Sequence, residues 1–235
     1  MNPEILYEDK YIIVCIKPAG IATQSKKVGT PDMVSILKNH LAQTRESSKA
    51  QTTGNAHKTP SEPYLAVIHR LDQPTSGLLV FAKTKQAARE LNRQLREGGF
   101  KKMYLAELRS IPIPREGTLE HYLTKDSRSN RVYICEESEP GAKLAQLSFK
   151  VLKVNEDSSC VAEIQLNTGR QHQIRAQMAA IHCPIAGDTK YGAPDPAHKQ
   201  LCLYACRLIF RHPHSQNVMS FKWNPLGSIP GTDYA

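Results

Sequence analysis

The sequence has no segment that resembles a secretory leader and no apolar run near the ~20 residues that span a bilayer. Its first residues, Met1-Asn2-Pro3-Glu4, lack the basic start and apolar stretch of such a leader. Motifs for a phosphate-binding Gly-Lys-Ser/Thr loop, a dinucleotide-binding turn and a His-Glu-x-x-His zinc helix are also missing. We therefore expect a cytoplasmic protein without membrane contact, whose chemistry is carried out by side chains and needs no cofactor.

Disulfide bonds are not indicated by the cysteines. The sequence has 6 Cys, most of them inside apolar runs, as expected for free thiols in a reducing compartment. Cys202 and Cys206, followed by His212 and His214, offer four zinc ligands in a short span. Because positions 202 and 206 share one face of an alternating strand over 201–210, we interpret both as core thiols and predict no metal.

The charge balance favours a polyanionic partner. There are 31 Lys and Arg against 22 Asp and Glu, which gives a formal net charge of +9 and a pI of about 9.3. Such a surface suits nucleic acid. The basic residues are spread along the chain, however, so the charge alone is equally compatible with an ordinary soluble surface.

The order of apolar runs predicts many strands and few helices. Helices are expected after Thr30 and from Thr84 to Glu97, and a turn followed by a helix is expected within Thr168 to Ile181. This balance indicates an α+β fold on a largely antiparallel sheet. The polar segment 43–63 is predicted to be a mobile loop, and 226–235 a loose C-terminal tail.

Asp72 is the candidate reactive group. It lies between the predicted buried strands Tyr64–Ile68 and Leu78–Ala82, at the start of a turn with the sequence Gln-Pro-Thr-Ser-Gly. This pattern places a carboxylate at a strand end, as in many active sites. An aspartate in such a turn also commonly bonds to nearby backbone groups, so the turn alone leaves a structural role open.

Four motifs in order resemble those of the RluA-type pseudouridine synthases. They are Ile5-Leu6-Tyr7-Glu8-Asp9 with Lys17-Pro18-Ala19-Gly20, His69-Arg70-Leu71-Asp72 with Thr75-Ser76-Gly77, Lys102-Met103-Tyr104-Leu105-Ala106, and Thr168-Gly169-Arg170-Gln171-His172-Gln173-Ile174-Arg175 followed by Gly187-Asp188 and Tyr191-Gly192. The resemblance extends over about residues 4 to 222. It implies a mixed, curved central sheet in two halves, flanked by helices, with a cleft for RNA. Because the first motif begins near residue 5, we predict a single catalytic domain over 1–235 without a separate N-terminal RNA-binding domain.

The resemblance also implies roles for individual residues. Asp72 would be the nucleophile, Arg175 its ion-pair partner, and Tyr104 the residue against the base. Contacts with RNA would be made by Arg70, Lys102, Arg170 and His172. Whether Asp72 attacks carbon 6 of uracil or acts at the ribose stays open, as does whether Tyr104 is a base or only stacks.

We therefore predict an enzyme that isomerises uridine to pseudouridine in ribosomal or transfer RNA, without an obligate protein partner. A carboxylate nucleophile can divide this exchange into easier steps. The alternative is a catalytically silent RNA-binding or RNA-chaperone module on the same fold. A nucleoside glycosidase is a weaker option, because no second paired carboxylate is evident.

Overall fold

The computed structural model describes residues 3–25, 29–50 and 62–229, without the side chains of 46–50. The chain divides into two compact units. The first unit contains residues 1–99 and 210–219, and the second contains residues 100–209 and 220–235. The prediction of a single catalytic domain concerns both units together and stays a prediction.

Eleven strands and three helices are present among the described residues. In chain order they are β1 (Glu4–Glu8), β2 (Ile12–Lys17), α1 (Met33–Ala50), β3 (Ala66–Val67), β4 (Ser76–Ala82), α2 (Lys85–Arg96), β5 (Lys101–Leu108), β6 (Glu116–Asp126), β7 (Arg131–Cys135), β8 (Lys143–Val154), β9 (Cys160–Leu166), α3 (Gln173–Ala180), β10 (Leu203–Arg211) and β11 (Val218–Lys222). No helix in the described part of the chain is long and apolar enough to cross a membrane.

The first unit is built on a small antiparallel array. Strand β2 pairs with β1 on one side and β4 on the other, and β3 also pairs with β4. Every residue of β2 and β4 is buried, as expected of strands that are apolar on both faces. Helix α2 begins where the sequence predicts, because the Thr84 side chain accepts a hydrogen bond from Ala87 N.

The second unit contains a longer antiparallel array in the order β10-β5-β9-β8-β6-β7. One part of its core joins Leu105 of β5, Val161 of β9 and Cys206 of β10. Another packs Ala176 of α3 against apolar side chains of β6, β7 and β8. The antiparallel pairing with few helices confirms the predicted α+β class.

Two segments differ from the sequence predictions. The predicted loop over 43–63 is wrong at its start, because α1 continues to Ala50. No glycine or proline interrupts the chain from Met33 to Ala50, and an exposed helix end needs no apolar stripe. Residues 51–61 of that loop lie outside the described residues. The predicted loose tail is wrong for 226–229, because Ile229 is buried in the core with Leu226 packed beside it.

Candidate active site

Asp72 lies in a tight turn immediately before β4, as the sequence predicts. Its backbone carbonyl accepts a hydrogen bond from Thr75 N at 3.0 Å. Leu71 and Thr75 are buried, whereas Asp72 itself is only half-buried. The turn therefore holds a carboxylate at the edge of a buried strand with access to solvent.

The residues on both sides of Asp72 are fixed to one segment that follows β2. Thr23 Oγ1 accepts a hydrogen bond from Leu71 N and donates one to Leu71 O, each at 3.1 Å. On the other side, Gly20 N donates to Gln73 O, and Gln73 Nε2 donates to Gly20 O, both at 2.9 Å. Gly20 has a φ of 84°, which favours glycine. These four bonds restrict the backbone that carries Asp72.

Lys17, at the end of β2, is hydrogen-bonded to the segment that follows β2 and to the Asp72 turn. Its side chain is fully buried, and its Nζ donates to the carbonyls of Pro18 at 2.9 Å, Ile21 at 2.6 Å and Gln73 at 3.0 Å. Burial lowers the pKa of Lys17 to about 8, while the charge of Asp72 acts in the opposite direction. Sequence reasoning missed this role, although a lysine that ends a buried strand before proline was a usable signal.

Two further residues of the first unit flank the turn on its N-terminal side. Arg70 is exposed, in keeping with its predicted contact with RNA. His69 is half-buried, and its Nε2 accepts a hydrogen bond from Val80 N at 3.4 Å. The bond to a β4 backbone amide supports a structural role for His69.

In the second unit, Tyr104 and Lys102 lie on one face of β5. Tyr104 is buried and is paired with Ala205 of β10 and Ile164 of β9. Lys102 is half-buried, and burial lowers its pKa. A Cβ added at Gly169 would lie 3.1 Å from Lys102 Nζ, so the ammonium sits against the turn before α3. Side chains two residues apart on a strand share a face, which brings Tyr104 to the same side.

Arg175 is buried in α3. Its Nε donates to Asp188 Oδ2 at 2.8 Å and its Nη2 to Asp188 Oδ1 at 2.7 Å. Its guanidinium also lies over the Tyr191 ring, with Cζ 5.2 Å from the centroid. Sequence reasoning missed Asp188 and Tyr191 as partners, although both belong to the fourth motif. The predicted ion pair of Arg175 with Asp72 stays a prediction.

Helix α3 begins at Gln173, after a turn, as the sequence predicts for the segment Thr168 to Ile181. Before it, His172 adopts a left-handed conformation with φ of 50°. Gln173 Oε1 accepts hydrogen bonds from Arg170 N at 3.0 Å and Thr168 Oγ1 at 2.8 Å, so the preceding turn is bonded to the helix.

The two predicted RNA-binding residues of this turn differ in exposure. His172 is buried, with Nδ1 2.9 Å from the Tyr191 hydroxyl oxygen. Arg170 is exposed, and its Nε donates to Leu144 O at 2.9 Å. The Arg170 side chain is therefore held at the surface in a defined direction, which suits contact with a phosphate.

Two of the four residues in the cysteine and histidine spacing, Cys206 and His212, have partners outside that set. Cys206 belongs to the core, and its Sγ donates to Met103 O at 3.3 Å. His212 Nε2 lies 2.8 Å from Asp9 Oδ2, and its Nδ1 accepts from Ser215 N at 3.0 Å. These contacts support the interpretation of Cys206 as a core thiol.

Comparison with known proteins identifies the class of this chain as a pseudouridine synthase. Residues 11–180 match the family model described as RNA pseudouridylate synthase. The chain is 33% identical over 221 residues to the dual-specificity RNA pseudouridine synthase RluA of Escherichia coli (strain K12), across 93% of this chain and 91% of that protein. It therefore belongs to the RNA pseudouridylate synthase family.

Other similar proteins agree with this assignment. Ribosomal large subunit pseudouridine synthase D of Neisseria meningitidis serogroup B is 35% identical over 237 residues, across 94% of this chain and 58% of that protein. The solved structure titled Human RNA Pseudouridylate Synthase Domain Containing 4 has a TM-score of 0.72 at 23% identity, across 94% of this chain and 88% of that one. The latter confirms the predicted pseudouridine synthase fold. The predicted activity, isomerisation of uridine in RNA, is confirmed by the family.

Proposed function

We propose that Asp72 is the nucleophile of uridine isomerisation in this protein. The observation that carries the proposal is the pair of hydrogen bonds on each side of Asp72, between the Thr23 side chain and the Leu71 backbone and between Gly20 and Gln73. A nucleophile gains most from a fixed position, because orientation lowers the entropic part of the barrier. The half-buried carboxylate is anchored through the backbone of its two neighbours, Leu71 and Gln73.

Tyr104 and Arg175 support this step in the proposal. The aromatic ring of Tyr104 offers a face for uracil, and base stacking on such a ring contributes about 1–3 kcal/mol. A guanidinium near a carboxylate favours the ionised form, which is the nucleophilic one. The double hydrogen bond to Asp188 supports a positioning role for Arg175, since it fixes the plane of the guanidinium.

The proposed substrate is a uridine in structured ribosomal or transfer RNA, in the cytoplasm. A stacked uridine must be turned out before a side chain can reach its base, at a cost of a few kcal/mol. The net charge of +9 and the exposed Arg70 and Arg170 supply attraction for phosphate. Lys102 and His172 complete the proposed set of RNA-binding residues. Because His172 is buried, its proposed role is to orient Tyr191 through the hydrogen bond to the tyrosine hydroxyl.

Pseudouridine mapping of total RNA tests the proposal. Cells with the gene deleted should lose pseudouridine at one or a few positions in ribosomal or transfer RNA. Expression of the wild-type chain should restore those positions, and expression of Asp72→Asn should not. An unchanged map in both classes of RNA would contradict the proposed substrate.

A further inference from the structure

Three side chains of the second unit that carry metal-binding donor atoms converge on one another, and none of them is assigned to catalysis. They are Glu107 near the end of β5, His198 in the loop after α3, and Cys202 directly before β10. One donor atom from each lies within 4.8 Å of the other two. Elsewhere in the described ranges, no other three residues of these types form such a group.

The backbone places two of these side chains next to each other independently of any ligand. Glu107 N donates to Cys202 O at 3.1 Å, where β5 and β10 pair. Ala186 links the same two residues, because its N donates to Glu107 O at 2.8 Å and its O accepts from Cys202 N at 3.0 Å. The thiol and the carboxylate are therefore held side by side by the sheet.

The third side chain is oriented by a carboxylate outside the group. His198 Nδ1 lies 3.1 Å from Asp195 Oδ2, and His198 Nε2 lies 4.0 Å from Glu107 Oε2. Asp195 is itself fixed, because it accepts hydrogen bonds from Gly187 N at 3.1 Å and Ala197 N at 3.2 Å. Metal-binding histidines almost always donate their second N–H to such a partner. This second observation points to a ligand at Nε2.

The donor types select the metal. Thiolate, imidazole and carboxylate together suit Zn²⁺, whereas Mg²⁺ and Ca²⁺ prefer oxygen ligands. Zinc bonds of about 2.0–2.3 Å place tetrahedral ligands about 3.5 Å apart. The present separations of up to 4.8 Å need an inward movement of about 1 Å, within reach of side-chain rotation.

We propose that Glu107, His198 and Cys202 form a structural zinc site, with water as the fourth ligand. This proposal departs from the sequence-based interpretation of Cys202 as a core thiol without a metal. Cys202 binds as the thiolate, and its proton is released to solvent. The site ties the loop that follows Asp188 to β5, the strand that carries Tyr104. It stabilises this part of the second unit and takes no step in the isomerisation.

Proton competition gives the site a defined pH dependence. A cysteine binds zinc as the thiolate, so zinc must displace the thiol proton of Cys202. Affinity should increase as the pH rises from 6 to 8.

Cobalt(II) titration of the reduced full-length chain tests the site, because a thiolate bound to cobalt gives a charge-transfer absorption. We expect one cobalt per chain, displaced by one zinc, and complete loss of the absorption in Cys202→Ser. Asp195→Asn should weaken zinc binding 10–100-fold by releasing His198. Cys135→Ser is the matched control, since Cys135 is a more accessible thiol on β7, and it should bind as wild type does.

Folding of each variant is checked by circular dichroism. If Cys202→Ser does not fold, His198→Gln decides, because it leaves the core thiol in place. Absence of stoichiometric cobalt and zinc in wild type would overturn the proposal. So would wild-type affinity in His198→Gln, or equal loss of the absorption in Cys135→Ser.

Discussion

The guanidinium of Arg175 and the carboxylate of Asp188 form a buried, doubly hydrogen-bonded ion pair, with N–O distances of 2.7 and 2.8 Å. The same carboxylate accepts the backbone N–H groups of Lys190 and Tyr191. The pair therefore links helix α3 to the Gly187–Gly192 segment of the fourth motif. It explains why the motif contains an acidic residue well after its arginine.

Asp188→Asn should destabilise the protein by about 3–5 kcal/mol, because it leaves the Arg175 charge buried without its counter-ion. Urea unfolding followed by circular dichroism measures the change. Asp157→Asn is the control, since Asp157 is exposed and bonds only near its own turn. A loss below 1 kcal/mol for Asp188→Asn would show that the pair is dispensable for stability.

The pH dependence of the pair follows from the same contacts. Burial alone would raise the pKa of Asp188, but the hydrogen bonds and charge of Arg175 prevail and lower it below the ordinary 3.8. A depressed folded-state pKa contributes stability above pH 3.8 that is lost as pH falls through the lower value. As the pH falls below 4, the free energy of unfolding should therefore decrease more in wild type than in Asp188→Asn, as measured by urea unfolding at each pH.

Lys17→Met should destabilise the first unit by on the order of 2 kcal/mol, because methionine fills the space but leaves three backbone carbonyls without their donor. Thermal unfolding at pH 7 reports the change. Lys38→Met is the matched control: Lys38 pairs with the exposed Glu62, and such surface pairs contribute about 0–1 kcal/mol. Equal effects of the two substitutions would contradict the anchoring role of Lys17.

Gly187→Ala should be far more damaging than Gly227→Ala. Both glycines have a left-handed φ, 71° and 72°, so each substitution carries a similar strain of about 1–2 kcal/mol. Only at Gly187 would the new Cβ meet a neighbour, lying 1.9 Å from Gln200 O. We expect Gly187→Ala to lower soluble yield and melting temperature well beyond Gly227→Ala. Similar melting temperatures for the two variants would show that the backbone around Gln200 moves aside at little cost.

Arg170→Ala should weaken RNA binding and reduce its salt dependence. The log-log slope of affinity against salt is about −0.7 per neutralised phosphate of single-stranded RNA, so loss of one contact should make it shallower by about that amount. Arg93→Ala is the control, because Arg93 is exposed but already paired with Glu90 and Glu97. Fluorescence anisotropy at several salt concentrations measures both. Identical slopes for the two variants would exclude Arg170 from the phosphate contacts.

The sequence predicted those features of the fold that are determined by residues close together in the chain. Turn residues placed Asp72 before β4, and Thr84 marked the start of α2. The buried role of Lys17 was not foreseen, because lysine is rarely buried and its acceptors include a carbonyl 56 residues away. The Arg175–Asp188 pair likewise depends on how a loop folds back onto a helix. Burial of Ile229 was missed because its neighbours in sequence read as a polar tail.

The central claim is that the Asp72 carboxylate is the nucleophile, and Asp72→Asn tests it most directly. Asparagine keeps the shape of the side chain and leaves the hydrogen bonds of Leu71 and Gln73 intact, so folding should be unchanged. Pseudouridine formation on the mapped RNA under single-turnover conditions should fall below detection. RNA affinity should stay level or rise, since one negative charge is removed. Turnover near that of wild type would contradict the assignment of Asp72.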